Sequence, residues 1–314
     1  MNAPEENASL FFTDGHVINR NAILVAGQLN AYPEADFSRL VFLLNGEWLH
    51  RDVEDDMIRS VTFNPAVQQC YFMGRNGTII SAGNGRPFNE RNMTGTFREE
   101  HISDTETYGE LFRIRSICGS VYACGQSSQI YKLQRGIWTH FDQGILREDG
   151  ETLEDIDGAA PDDIYAVGLS GTIAHYDGKA WTLLDSPTNQ HFSNVRCASR
   201  NEVYLCGNNG MVFRGRRDNW QFIGSPDLTS TFWGMEMFHD ELYLAHHEGI
   251  MKYDGNSIVP VSTGEKKFTF HRLHSNDEIL VSFGVDDIVI FDGGAIWSEM
   301  VFPDNVRDVG KEHN

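Results

Sequence analysis

The chain has 314 residues, 40% of them hydrophobic, and a formal net charge of −20 from 45 acidic against 25 basic side chains. That balance excludes a nucleic-acid binder, whose partner's phosphates call for clustered Lys and Arg, and it excludes an anionic membrane surface. Apolar runs of only a few residues exclude a spanning helix, while 30 glycines and 36 aromatics (20 Phe, 10 Tyr, 6 Trp) suit an all-β chain of short strands and tight turns.

In chain order, the opening segment MNAPEENASLFF has neither a basic stretch nor a long apolar one, so no secretion signal and a cytoplasmic location are expected. Residues 9–13 are expected to pair with the last repeat and close a ring. A repeat then runs along the chain. Ile23-Leu24-Val25-Ala26-Gly27 precedes Leu40-Val41-Phe42 and Trp48, and Cys70-Tyr71-Phe72-Met73-Gly74 precedes Gly77-Thr78-Ile79. Val121-Tyr122-Ala123-Cys124-Gly125 leads to Ile130-Tyr131 and Trp138. Ile164-Tyr165-Ala166-Val167-Gly168 leads to Gly171-Thr172-Ile173, Tyr176-Asp177-Gly178 and Trp181. Val203-Tyr204-Leu205-Cys206-Gly207 leads to Gly210-Met211-Val212 and Trp220. Leu242-Tyr243-Leu244-Ala245-His246 is followed by Gly249-Ile250 and Tyr253-Asp254-Gly255, and Ile279-Leu280-Val281 by Phe291-Asp292-Gly293 and Trp297.

The last residue of each segment, or its equivalent, falls at 27, 74, 125, 168, 207, 246 and 284, with spacings of 47, 51, 43, 39, 39 and 38. Self-similarity near 40 residues with about four short strands per unit predicts an all-β fold: a seven-bladed β-propeller of four-stranded antiparallel blades. The units run roughly over 10–50, 51–95, 107–142, 152–186, 191–225, 231–262 and 268–302, in one domain covering the chain. Strand b is the VYxxG segment, strand c follows the second glycine and strand d carries the Trp. Strand b is apolar on both faces (Val203 and Leu205 against Tyr204 and Cys206), as expected of sheets stacked on both sides. The b–c connections, such as Gly168 to Gly171 and Gly207 to Gly210, need positive φ, which Gly and Asn adopt at little cost.

These residues resemble the WD40/YVTN/BNR-like propeller superfamily, especially bacterial propellers of the photosystem II assembly-factor type, over about residues 20–300. Asp292-Gly293-Gly294-Ala295-Ile296-Trp297 looks like an Asp-box without the usual Ser or Thr two residues earlier, where Ile290 stands. The resemblance implies the fold and no particular chemistry.

Chemistry has few candidates. His246-His247-Glu248, with His239, His271 and His274 nearby, matches no zinc spacing, and adjacent histidines on a turn point apart. No G-x-S-x-G, P-loop or G-x-G-x-x-G in a βα setting occurs, so no catalytic residue, cofactor or metal is expected. Cys124 and Cys206 occupy the same apolar packing position, and the five cysteines are expected to be free thiols.

The departures from the repeat are acidic. The a–b turns are short, and length varies in the d–a loops and in the first b–c loop, residues 28–38; insertions on one face of a repeat protein tend to mark its binding surface. The d–a segments 51–57, 99–110 and 142–157 hold 16 of the 45 acids, against only Arg51 and Arg147. Asp52, Glu54, Asp55, Asp56, Glu99, Glu100, Asp104, Glu106, Asp149, Glu151, Glu154 and Asp155 are therefore the candidate partner-binding residues, on one negative crescent that steers a basic protein. Trp233, after a further d–a loop, is either the aromatic anchor of that face or a packing residue between blades. The profile of an acidic, rigid ring without a catalytic motif is similar to that of polymorphic-toxin immunity proteins. That resemblance implies a cytoplasmic inhibitor of a basic effector, such as an antagonistic nuclease toxin; a scaffold or assembly factor is a variant of the same binding role. The opposing reading is an enzyme, a glycan-active hydrolase or metal-dependent lactonase, with its site at the mouth of the central channel. Inward polar residues converging from several strands a would favour it.

Overall fold

Alternate residues of a strand point to opposite faces, so a strand apolar at every position needs a cover on both sides. That is how the b strands are used. In β18 (Glu202–Gly207), Tyr204 and Cys206 enter one hydrophobic cluster while Val203 and Leu205 enter another. There are seven such clusters, one at each junction between neighbouring sheets, and together they form the core.

A computed structural model describes residues 9–31, 35–83, 85–86, 97–225, 227–294 and 296–305. It holds seven sheets of four antiparallel strands, each sheet a meander. Blade 1 is β1 (Leu10–Asn19), β2 (Ala22–Leu29), β3 (Phe37–Leu44) and β4 (Glu47–Glu54). Blade 2 is β5 (Ile58–Asn64), β6 (Gln69–Gly74), β7 (Thr78–Ala82) and β8 (Arg98–His101), followed by the single-turn helix α1 (Thr105–Tyr108). Blade 3 is β9 (Leu111–Ile117), β10 (Ser120–Gly125), β11 (Ile130–Gln134) and β12 (Ile137–His140). Blade 4 is β13 (Leu153–Ala160), β14 (Asp163–Gly168), β15 (Ile173–Tyr176) and β16 (Trp181–Leu183); blade 5 is β17 (Phe192–Ser199), β18, β19 (Val212–Arg216) and β20 (Asn219–Phe222). Blade 6 is β21 (Gly234–Phe238), β22 (Glu241–His246), β23 (Gly249–Tyr253) and β24 (Ile258–Val261); blade 7 is β25 (Arg272–Ser275), β26 (Leu280–Phe283), β27 (Ile288–Phe291) and β28 (Trp297–Met300).

Each blade's first strand is innermost, so a–b and c–d turns open on one face of the ring and b–c and d–a connections on the other. The b–c turns are left-handed where glycine and asparagine were expected to serve, at Gly171, Asn209 and Gly210 with φ of 73°, 55° and 66°, and also at Ser170, with φ of 54°. A Cβ on Gly171 would lie 2.0 Å from the Thr188 carbonyl oxygen, so glycine is required there twice over.

Ring closure departs from expectation. Leu10, Phe11 and Phe12 lie in β1 and pair with Leu29, Gln28 and Gly27 of β2, and Thr13 falls in a bulge of the same strand, so among the described residues none before β2 adds a strand to blade 7. Polar contacts across the seam include a backbone bond, Phe12 N–H to the Val285 carbonyl at 2.8 Å, the Arg39–Asp304 ion pair at 3.6 Å, and the bonds of Asn305. The Asn305 amide accepts from Leu10 N–H at 2.7 Å and donates to the carbonyls of Leu10 and Asp286, each at 3.0 Å. Phe12, Val25, Val281, Phe283 and Phe302 pack beneath it.

A second difference concerns the insertion after β7. Strand d of blade 2 is β8, which overlaps the 99–110 segment read from sequence as a d–a loop, so the chain between β7 and β8 is a c–d and not a d–a connection. Every residue of β8 is exposed, so it carries no apolar alternation by which to be seen. Part of that insertion, 87–96, and residues 32–34 of the first b–c loop lie outside the described residues.

Candidate partner-binding face and central channel

The acidic segments divide according to the strand or loop that carries them. Glu54 and Asp55, at the end of β4 and just beyond it, are exposed, as are Glu106 in α1 and Glu148, Asp149 and Glu151 between β12 and β13. Among the described residues none of these six forms an ion pair. They come from three successive d–a connections and so share one face. Asp104 opens α1 and contacts His140 Nε2 at 3.1 Å, and half-buried Glu154 faces His191 at 3.8 Å.

The remaining carboxylates are held elsewhere. Asp52 sits on β4 and grips the buried Arg39 through two bonds of 2.7 and 3.0 Å. Asp56 is fully buried and accepts from the N–H groups of Asn76 and Thr78 at 3.2 and 3.3 Å, anchoring the b–c turn of blade 2. Glu99 and Glu100 are exposed on the outer edge strand β8. Asp155 is fully buried on β13. Trp233 ends the connection into β21 and lies on the same face as the exposed acids. Its backbone is fixed by Ala245, Asn194 and Arg272, while its ring is 37% exposed and 5.7 Å from the His271 ring.

The axis carries a group of residues that the sequence reading missed. Strands a turn alternate polar side chains inward, giving a belt that runs Asp14, Arg113, Asp155, Arg115, Asp157, Arg196, Glu236. Arg113 reaches Asp14 at 3.1 Å and Asp155 at 3.2 Å; Arg115 reaches Asp155 at 2.9 Å and Asp157 at 3.9 Å; Arg196 reaches Asp157 at 3.7 Å and bonds Glu236. Asp155 also accepts from Val195 N–H at 3.1 Å, and Asp157 from Cys197 N–H at 2.8 Å, so the belt ties blades 4 and 5 together. Beside it the rings of His16 and His274 lie 3.7 Å apart, with Val17 N–H donating to His274 Nδ1.

Burial alone would raise the Asp14 carboxyl. Arg113, Arg272, the Val61 N–H and the Ser60 hydroxyl outweigh it and hold the group below its ordinary value. Burial pushes Glu236 up against the pull of Arg196 and Arg115. Burial lowers His16 to about 3 and keeps His274 far below its ordinary range. A cavity of about 160 Å³ lies among these groups, and a wider mouth of about 740 Å³ opens on the a–b face. The inward convergence that an enzyme would need is thus present, with its acids facing guanidinium groups. The signal was a period-2 polar pattern on strands a, recurring from unit to unit as Asp14/His16, Arg113/Arg115, Asp155/Asp157, Asn194/Arg196 and Arg272/His274.

No family model matches the chain. It is 30% identical over 264 residues to the immune protein Tsi7 of Pseudomonas aeruginosa, a match spanning 79% of this chain and 83% of that protein. The chain belongs to the Tsi7 family of immune proteins. Membership points to a protein that works by binding and not by catalysis. Solved structures with the same fold include YCF48 from Cyanidioschyzon merolae (TM-score 0.68, 10% identity, 91% of this chain and 96% of that one). Others are YCF48 bound to a D1 peptide (0.67, 15%, 90% and 93%) and the WD40 propeller domain of Doa1 (0.65, 10%, 92% and 95%). No described helix is long and apolar enough to cross a membrane.

Proposed function

We propose that this protein neutralises a basic effector in the cytoplasm of the cell that makes it, by covering the effector with its d–a face. The observation that carries the reading is the set of unpaired, exposed carboxylates Glu54, Asp55, Glu106, Glu148, Asp149 and Glu151, presented by consecutive blades of a member of an immune-protein family. Asp104 and Glu154 extend the set, and Trp233 on the same face supplies the aromatic contact that dominates many interfaces. Charges left without partners in the free ring cost little to hold there and raise the encounter rate with a cationic surface. Five free cysteines suit a reducing compartment.

The test uses the effector whose toxicity this chain suppresses on co-expression, in an inactivated form. Association rates are measured at about 50 and 200 mM salt for the wild type, for Glu54→Lys with Asp55→Lys, and for Glu148→Lys with Asp149→Lys. The wild-type rate should fall steeply with salt, and each double reversal should slow association about tenfold or more at low salt. Rates indifferent to salt and to both reversals would remove this face from the interface.

A further inference from the structure

We infer that the cleft between blades 2 and 3 seats an extended basic segment of the effector, an inference that rests on the d–a face as the effector-binding surface. The cleft holds about 630 Å³ between β8 and β12. Both walls are outer strands, each hydrogen-bonded among the described residues to one neighbouring strand only, so both present a backbone edge that templates an added strand.

Three features of the lining specify the occupant. The Trp181 indole of blade 4 donates to the Phe141 carbonyl of the preceding blade at 2.6 Å. On strand d of blade 3, the Trp138 Nε1–H is buried without an acceptor; those of Trp220 and Trp297 are too, but of the three it is Trp138 that lines this cleft. A buried donor without a partner is a standing demand for an oxygen atom, which a peptide carbonyl meets. Ile137 beside it is 66% exposed, an apolar surface awaiting cover. Glu100 on β8 and Asp104 just before α1 make the blade 2 wall negative, and His140 fixes that wall by contacting Asp104 at 3.1 Å and Asp142 at 2.9 Å. An extended segment alternating Lys or Arg with apolar residues meets all three: carbonyls for the indole and the strand edge, an apolar side chain for Ile137, and cations for Glu100 and Asp104. The cleft joins the d–a face directly, because Asp104 opens the 102–110 connection.

The experiment uses the same inactivated effector and follows dissociation instead of association. Ile137→Arg and Glu100→Lys should each raise the dissociation rate about tenfold or more, since these contacts form after docking. In the wild-type protein the Trp138 indole N–H resonance should move downfield on adding effector. A wild-type dissociation rate for Ile137→Arg, or an unmoved Trp138 resonance, overturns the inference. If those results come with slowed association in the Glu148→Lys, Asp149→Lys protein, the cleft alone is wrong and the acidic face stands; if that protein also binds normally, both fall. Self-association of the wild-type chain that Ile137→Arg abolishes would make the occupant a second copy and also overturn the inference.

Discussion

Asp155 and Asp149 stand six residues apart in one acidic run and meet opposite environments. Asp149 is exposed between β12 and β13, whereas Asp155 is fully buried with Arg113, Arg115 and two backbone N–H groups around it. Neutralising Asp155 takes from Arg113 one of its two carboxylate partners and from Arg115 the nearer of its two, so Asp155→Asn should lower stability by about 3 kcal/mol, the lower end of the usual cost of breaking a buried ion pair from one side. Asp149→Asn should leave the unfolding midpoint in urea where it was. Equal midpoints for the two variants would show that the axial belt contributes nothing to holding the ring together. Composition and local charge density treat the two residues alike; what separates them is the phase of β13. Leu153 opens that strand in a stretch otherwise dominated by acids, and a boundary a few residues away turns an inner strand into a loop.

Elements were legible in proportion to how much apolar surface they bury. The b strands, from Ala22–Leu29 to Leu280–Phe283, are covered on both faces, and their marker residues alone gave the blade count. At the other extreme β8, Arg-Glu-Glu-His, has no buried position, because an outermost strand in a ring faces solvent and needs only its backbone pairing to β7. The seam was equally hidden, since its polar contacts are single bonds scattered over residues far apart in sequence, Asn305 among them. Asn305→Ala removes two hydrogen bonds across it, both to Leu10, and a third to Asp286 on its own side, and should cost about 1–3 kcal/mol. Limited proteolysis should then cut first near residues 285–300. A midpoint and a cleavage pattern equal to wild type would show that the seam closes without Asn305.

Across the whole molecule, the axis is a source of pH dependence. His16 and His274 are held neutral in the fold, His16 with a value near 3, whereas in the unfolded chain each takes up a proton below its ordinary 6.5. Below that pH the unfolded state binds more protons, so the stability they contribute is intact above about 6.5 and is lost as pH falls toward 3. Asp14, lowered in the fold, adds a further loss in the same direction below 3.8. The thermal midpoint should therefore decline from pH 6.5 to 4, and His16→Gln, which cannot titrate, should flatten the decline. A midpoint constant over that range would show that the pair is not kept neutral. Asp14, Arg115 and Arg196 face His16, and His16 with Arg196, Arg115 and Arg113 faces His274, so the cations of the belt oppose any added charge at the axis.

Because among the described residues no strand is lent across the seam, every blade is one unbroken run of chain, and a gene for such a ring could be cut at any d–a connection and rejoined without splitting a sheet. The axial belt sets the opposite limit. Blade 4 brings Asp155 and Asp157 and blades 3 and 5 bring the guanidinium groups that answer them, so a blade cannot be exchanged or lost without stranding charge in its neighbours. Modular in its wiring and matched at its centre, the ring leaves its outer connections as the parts that can change in length and charge one at a time without disturbing a sheet or the axis.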